Sequence, residues 1–199
     1  EIFKAYDIRG IVGVTLTAPI IEQIGWAIGS ASVETGNDSI VIGWDGRPSG
    51  PEYAEALGFG IQSAGCHVVM IGMVPTPLTY FASHFLNIKS AVAITGSHNP
   101  SQYNGLKIMI AGTTLAGKAI QDLRERSRSR KNRHPGTLRH EFINEAYMSA
   151  VESDIELTKP LRIAIDSGNG VAGTIGPDLY RRLGCEVTEL YSEVDGNFP

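Results

Sequence analysis

The chain has 199 residues, 42% hydrophobic and 19% charged, with a formal net charge of -4. That is enough apolar sequence for a sizeable core in a soluble globular protein, and no apolar run reaches transmembrane length. Two cysteines, Cys66 and Cys185, exclude a disulfide framework; each follows a glycine where a strand begins and reads as a small core residue. With no membrane span and no secretory leader, the expected location is cytoplasmic. A chain that begins at Glu1 without methionine is expected to lack some leading residues.

In chain order, residues 3–14 are β-prone but broken by Asp7, Arg9, Gly10 and Gly13. Arg9, between Ile8 and Gly10, needs an anionic partner, and Asp7 is the local candidate. Thr17 as N-cap and Pro19 in the first turn predict a helix, with Ile20, Ile24, Ala27, Ile28 and Ala31 on one face and Gly36 as the stop. Ser39–Trp44 predicts a β-branched strand ending in Asp45-Gly46-Arg47. Ser49-Gly50-Pro51-Glu52 has the form of a capping box, opening a helix to about Ser63. A strand over Cys66–Ile71, a break at Pro75-Thr76-Pro77, and a short helix over 78–86 follow. Helices are expected over 115–130 and 141–155. Between Arg124 and His140 lie seven Lys or Arg against one acid, Glu125; the rest of the chain holds 10 basic and 20 acidic residues. The stretch lacks interleaved aromatics and runs into His134-Pro135-Gly136, so it reads as a solvated helix end and linker, with no nucleic-acid partner expected.

The pattern then repeats. A strand over 161–165, a loop Asp166-Ser167-Gly168-Asn169-Gly170, a helix over 175–183 and a strand from Gly184-Cys185 parallel Ile40–Ile42, Asp45-Gly46, the second helix and Gly65-Cys66. Asp45 to Cys66 is 21 positions; Asp166 to Cys185 is 19. Two such β-α-β units predict a duplicated domain with parallel pairing. The second unit stops at Pro199 with no closing strand, so the chain reads as the amino-terminal portion of a longer protein.

Chemistry concentrates in Ala91–Pro100. A buried strand passes without a spacer into Thr95-Gly96-Ser97-His98-Asn99-Pro100, which places these residues at the carboxyl edge of a sheet, where open α/β sheets bind ligands. Gly96 is expected to let the backbone approach a ligand, Pro100 to stiffen the exit and Asn99 to brace the loop. Residues 101–105 turn the chain, and a strand over 106–110 brings Lys107 close behind Ser97. Too few residues join them for a helical crossover, so the sheet must be mixed. No Gly-x-Ser-x-Gly elbow is present, and adjacent side chains on an extended loop point apart, which makes His98 a poor base for Ser97.

Thr95-Gly96-Ser97-His98-Asn99-Pro100 with Tyr103-Asn104-Gly105-Leu106-Lys107 resembles the serine loop of the α-D-phosphohexomutases, nearest to their bacterial phosphomannomutase/phosphoglucomutase branch. Residues 3–10, 45–50, 72–77, 166–170 and 193–199 resemble further motifs of that family in its order. The resemblance implies an α/β fold, a mixed, mostly parallel sheet sandwiched by helices, with the start of a second repeated α/β domain. It implies a first domain over 1–138 carrying the phosphoserine loop, and a linker helix with part of a second domain over 139–199. It implies reversible phosphoryl transfer between the 1- and 6-positions of mannose and glucose phosphates through a phosphoserine, Ser97, and a bisphosphate intermediate, by a monomer. In this reading Arg9 and Tyr6 face substrate. His98 serves phosphate or the reacting hydroxyl electrostatically, and Lys107 supplies a cation and a proton-transfer group. Glucose 1,6-bisphosphate is the activator, and Mg²⁺ binds Ser97 through its phosphate. The family's Asp-Gly-Asp-x-Asp metal motif is absent from the sequence and is expected beyond Pro199. A glucosamine-phosphate mutase and a non-catalytic sugar-phosphate-binding module are the alternatives.

Overall fold

The structure, a computed structural model, describes residues 2–128 and 133–199. Its strands are β1 Ile8–Ile11, β2 Ser39–Trp44, β3 His67–Met73, β4 Ala91–Ile94, β5 Tyr103–Ile110, β6 Thr113–Thr114, β7 Leu138–His140, β8 Arg162–Asp166 and β9 Glu186–Leu190. Its α-helices are α1 Ala18–Glu34, α2 Gly50–Ser63, α3 Thr76–Phe85, α4 Lys118–Ser127, α5 Asn144–Asp154 and α6 Gly176–Arg182. Among the described residues, one sheet runs in the order β1-β5-β4-β2-β3-β7, with β6 paired to β5. Strands β4, β2, β3 and β7 are mutually parallel, while β5 lies antiparallel to both β4 and β1. The short link between Ser97 and Lys107 is thus a reversal, as its length requires, and Ala93 pairs with Lys107.

Side chains alternate across the sheet, and each face has its own core. Ile40, Ile42, Val68, Met70, Val92, Ile94, Leu106 and Ile108 pack with the apolar faces of α1 and α2 and with Ile120 and Leu123 of α4. Val41, Val69, Ile71, Ala91 and Met109 pack with Leu78 and Ala82 of α3 and Ile143 at the start of α5. The result is a three-layer α/β/α domain, with the Asp45 and Thr95 loops side by side at the carboxyl ends of β2 and β4. The second unit repeats the plan: β8 and β9 pair in parallel across α6.

Several local expectations change. Thr17 occupies the N-cap of α1, but its side chain makes no cap bond. Ser49 is no capping-box residue: its backbone is already helical, and its hydroxyl accepts the Asn104 side-chain amide at 2.9 Å. Thr76 opens α3 and Pro77 sits in its first turn, so the 75–77 break is a helix start. β7, within the expected linker, is a strand created by pairing with β3 (Val68 with Leu138), and the 138/139 division falls inside it. Helix α4 begins at Lys118; the stretch expected to carry it to Arg130 lies partly outside the described residues, as do Arg130 and Lys131. Three of the neighbouring basic groups are paired: Arg126 grips Glu34 at 2.6 and 2.8 Å, Arg128 meets Glu125 at 2.9 Å and Arg139 meets Glu141 at 3.1 Å. Cys66 and Cys185 are buried and free, and burial pushes the Cys66 thiol up to about 12. Among the described residues no helix is long and apolar enough to cross a membrane.

Candidate active site

Strands β2 and β4 are parallel neighbours, so Asp45 and Thr95 emerge side by side; the Asp45 N–H donates to the Ile94 carbonyl at 2.9 Å. The Asp45 carboxylate organises both loops. One oxygen accepts the Arg47 N–H at 3.1 Å. The other accepts the Thr95 hydroxyl at 2.7 Å, the Gly96 N–H at 3.1 Å and Arg47 Nε at 3.2 Å. Thr95 Oγ1 in turn accepts the Ser97 N–H at 2.8 Å. Carboxylate, hydroxyl and amide thus form a line ending at the serine.

Arg47 is the second organiser. Its side chain is 1% exposed. The guanidinium donates to the carbonyls of Asn99 at 2.7 Å, Pro100 at 2.8 Å, Tyr103 at 2.9 Å and Ser97 at 3.2 Å. A planar fork with five N–H groups is the side chain that can satisfy four carbonyls and a carboxylate at once. The room kept by Gly96 is therefore for Arg47: a Cβ there would run into the guanidinium. Asn99, expected to brace the loop, is itself braced through its carbonyl.

Held from behind in this way, the loop presents Ser97 and His98 exposed to solvent. Ser97 has φ of 54°, a left-handed backbone that costs a non-glycine residue about 1–2 kcal/mol. That twist removes the extended geometry on which the separation of Ser97 and His98 rested. Ser97 Oγ lies 3.3 Å from His98 Nδ1, so the two side chains meet. They line a cavity of about 440 Å³ with Arg47, Asn99–Ser101, Asn197 and Phe198.

The remaining candidates lie beside this cavity and do not line it. Arg9 on β1 ion-pairs with Asp7 and reaches across β5 to donate to the Thr95 carbonyl at 2.9 Å. Gly105, its cross-strand partner, leaves room for that crossing. Arg9, Gly105, Lys107 and Ala93 share one sheet face by register, which puts Arg9 and Lys107 on the same side of the sheet. Tyr6 is 79% exposed on the turn closed by the Lys4 N–H and the Asp7 carbonyl. The residues do not by themselves fit a magnesium site. Asp45 is the carboxylate at this loop and its oxygens already accept four hydrogen bonds. Among the described residues no group of three or more His, Cys, Asp or Glu side chains is arranged to hold a metal.

The family model described as phosphoglucomutase/phosphomannomutase, alpha/beta/alpha domain I, matches residues 1–134, and its domain II counterpart matches 140–199. The chain belongs to the phosphoglucomutase/phosphomannomutase family. It is 50% identical over 200 residues to the phosphomannomutase/phosphoglucomutase of Pseudomonas aeruginosa, covering 100% of this chain and 43% of that protein. It is 48% identical over 202 residues to a phosphoglucomutase of Neisseria gonorrhoeae, covering 100% of this chain and 44% of that protein. A crystal structure of a phosphoglucomutase/phosphomannomutase family protein from Burkholderia thailandensis superposes with a TM-score of 0.96 at 43% identity, covering all of this chain and 45% of that one. The chain thus spans less than half the length of the curated relatives it matches.

Proposed function

We propose that this chain carries the phosphoserine portion of a phosphohexomutase that moves phosphate between the 1- and 6-positions of mannose and glucose phosphates. The observation that carries the reading is the serine itself: an exposed hydroxyl at the tip of a loop whose backbone is fixed from behind by buried Arg47 and by Asp45. Phosphoryl transfer asks a protein mainly for positioning and charge stabilisation. A rigid serine divides one transfer between distant oxygens into two local ones.

In the forward step the Ser97 Oγ–P bond breaks as a sugar hydroxyl oxygen bonds to phosphorus. The hydroxyl proton leaves the sugar and the serine oxygen takes up a proton. The resulting bisphosphate turns over, and its other sugar O–P bond breaks as Ser97 Oγ bonds to phosphorus, the leaving sugar oxygen taking up a proton. The 3.3 Å contact between His98 Nδ1 and Ser97 Oγ supports a role for His98 in accepting the Ser97 proton in that return step. Arg9 and Lys107 offset negative charge at the sheet edge, and exposed Tyr6 faces the incoming sugar. Glucose 1,6-bisphosphate and Mg²⁺ are the proposed activators. The names of the relatives support mannose and glucose phosphates as the substrates.

The test is to incubate the full-length protein with glucose 1,6-bisphosphate and Mg²⁺ and to locate added phosphate by intact mass and peptide mapping. We expect one phosphate on Ser97, absent from Ser97→Ala and discharged by mannose 6-phosphate or glucose 6-phosphate. Turnover by Ser97→Ala at the parent rate would overturn the reading.

A further inference from the structure

After β9 the chain returns to the first domain. The backbones touch there: a Cβ on Gly196 would lie 2.5 Å from both the Gly46 carbonyl oxygen and Pro48 Cδ, and a Cβ on Gly46 would collide with Val194. The returning turn is closed on itself. Asp195 Oδ1 accepts the Asn197 backbone and side-chain N–H groups at 2.9 Å each, and the Phe198 N–H donates to the Asp195 carbonyl at 3.0 Å. It is also tied to the second unit's own loop: Asn169 Nδ2 donates to the Glu193 carbonyl, and the Asp195 N–H to the Asn169 carbonyl. Phe198, at φ of 53°, then lays its ring 5.1 Å from the Arg47 guanidinium carbon. Asn197 and Phe198 border the same cavity as Ser97 and His98.

We propose that Phe198 is a positioning residue for the phosphoserine: its ring seats the Arg47 guanidinium, and Arg47 holds the Ser97 loop, so the second domain sets the serine's position from behind. The role in catalysis rests on the phosphoserine reading above; the relay itself rests on contacts alone. Carbonyls hold this planar cation by its edge and leave its face to be covered. An aromatic ring is the cover that adds attraction and excludes water. A left-handed residue in a doubly closed turn directs the ring there without a flexible approach.

The test uses Phe198→Ala and Phe198→Tyr in the full-length protein. Amide hydrogen exchange is followed at Gly96, Ser97, Asn99 and Tyr103, each of which donates a hydrogen bond within the serine-loop network. In Phe198→Ala we expect exchange at these amides to rise about fivefold, the scale of one aromatic–cation contact. Exchange in β2 and β3 should be unchanged, and kcat should fall by more than KM rises. Phe198→Tyr keeps the ring and should restore both. Loop exchange at the parent rate in Phe198→Ala would overturn the relay. So would a rise matched in β2 and β3, which signals general destabilisation, or a rise that Phe198→Tyr fails to reverse. Absence of phosphate on Ser97 in the parent would overturn the phosphoserine reading, whereas the exchange result would still decide the relay.

Discussion

Replacing Arg47 by methionine probes the support of the serine loop most directly. Methionine keeps the unbranched stem of arginine to about Nε but lacks the three guanidinium atoms beyond it, so part of the effect comes from the space they leave. What it removes is five hydrogen bonds and a charge. The carbonyls of Ser97, Asn99 and Pro100 belong to residues near the surface, where water can replace the guanidinium at small cost. The Asp45 carboxylate, charged and half-buried, is less fortunate. A buried acceptor left unpaired costs about 1–3 kcal/mol, more when charged. Asp45, with its side chain 14% exposed, keeps Thr95 and Gly96 but loses the cation that offsets its charge. Breaking one half of a buried ion pair costs about 3–5 kcal/mol, and we expect Arg47→Met to fall in that range.

Urea unfolding followed by tryptophan fluorescence measures it. With a urea dependence of about 1–3 kcal/mol per molar, the midpoint should drop by about 1 M or more. Phosphate incorporation at Ser97 should fall about a hundredfold, because a displacement of about 1 Å is enough for that. Arg47→Lys keeps the charge but offers three donors without a fork, so it should recover some stability and little of the transfer. Arg47→Met within about 1 kcal/mol of the parent, with normal phosphate incorporation, would refute the argument that this side chain builds the loop.

Three further substitutions test separate parts of the same account. Gly96→Ala should destabilise by about 1–3 kcal/mol in the same unfolding assay, because the added methyl displaces the guanidinium. Ser97→Gly should do the opposite, gaining up to about 1 kcal/mol by relieving the left-handed backbone while abolishing phosphate incorporation. Cys66, raised by burial to about 12, stays neutral in the folded chain while the unfolded chain ionises near the ordinary thiol value. Its contribution is present below about pH 9 and is lost as pH rises toward 12, at up to about 1.4 kcal/mol per pH unit. The slope of stability against pH above 9 should therefore be shallower in Cys66→Ala, and equal slopes would count against it.

Much of this architecture is legible in the sequence because its elements are local. Ser39–Trp44 is β-branched and apolar, and it forms a strand over that same span. The reversal between Ser97 and Lys107 follows from chain length alone. What is hidden is lateral order. Nothing in the sequence says that β2 lies beside β4, so Asp45 and Arg47 look like turn residues, although they act on a loop about 50 positions away. The available signal was an arginine two residues after a strand-end aspartate, together with a glycine whose missing side chain another residue fills. β7 is hidden for a related reason. Its residues Leu138-Arg139-His140 are exposed and show no alternation, and only the free edge of β3 makes them a strand. The contact of Ser97 with His98 was missed because it depends on one positive φ, which a serine seldom adopts.

The duplication explains why the second unit reaches the first at this place. In each copy the first strand ends in an aspartate whose Oδ1 accepts the N–H two residues on: Arg47 at 3.1 Å and Gly168 at 2.9 Å. The same turn then serves different ends. In the first copy the residue two positions on is an arginine that secures the Ser97 loop. In the second it is a glycine at φ of 51°, and the next residue, Asn169, makes the long-range bonds to Tyr191 and Glu193. The segment secured by the second turn is the one that bears on the first. A change at Asn169 should therefore reach Ser97 only through residues 194–198. Asn169→Gly deletes the side-chain bond and tolerates the positive φ of 56°, so it loosens the segment without backbone strain. We expect it to raise hydrogen exchange at the Ser97 loop in the same direction as Phe198→Ala. Combined with Phe198→Ala it should add nothing further, since both interrupt one chain of contacts. Strict additivity of the two would mean that the copies touch without one supporting the other.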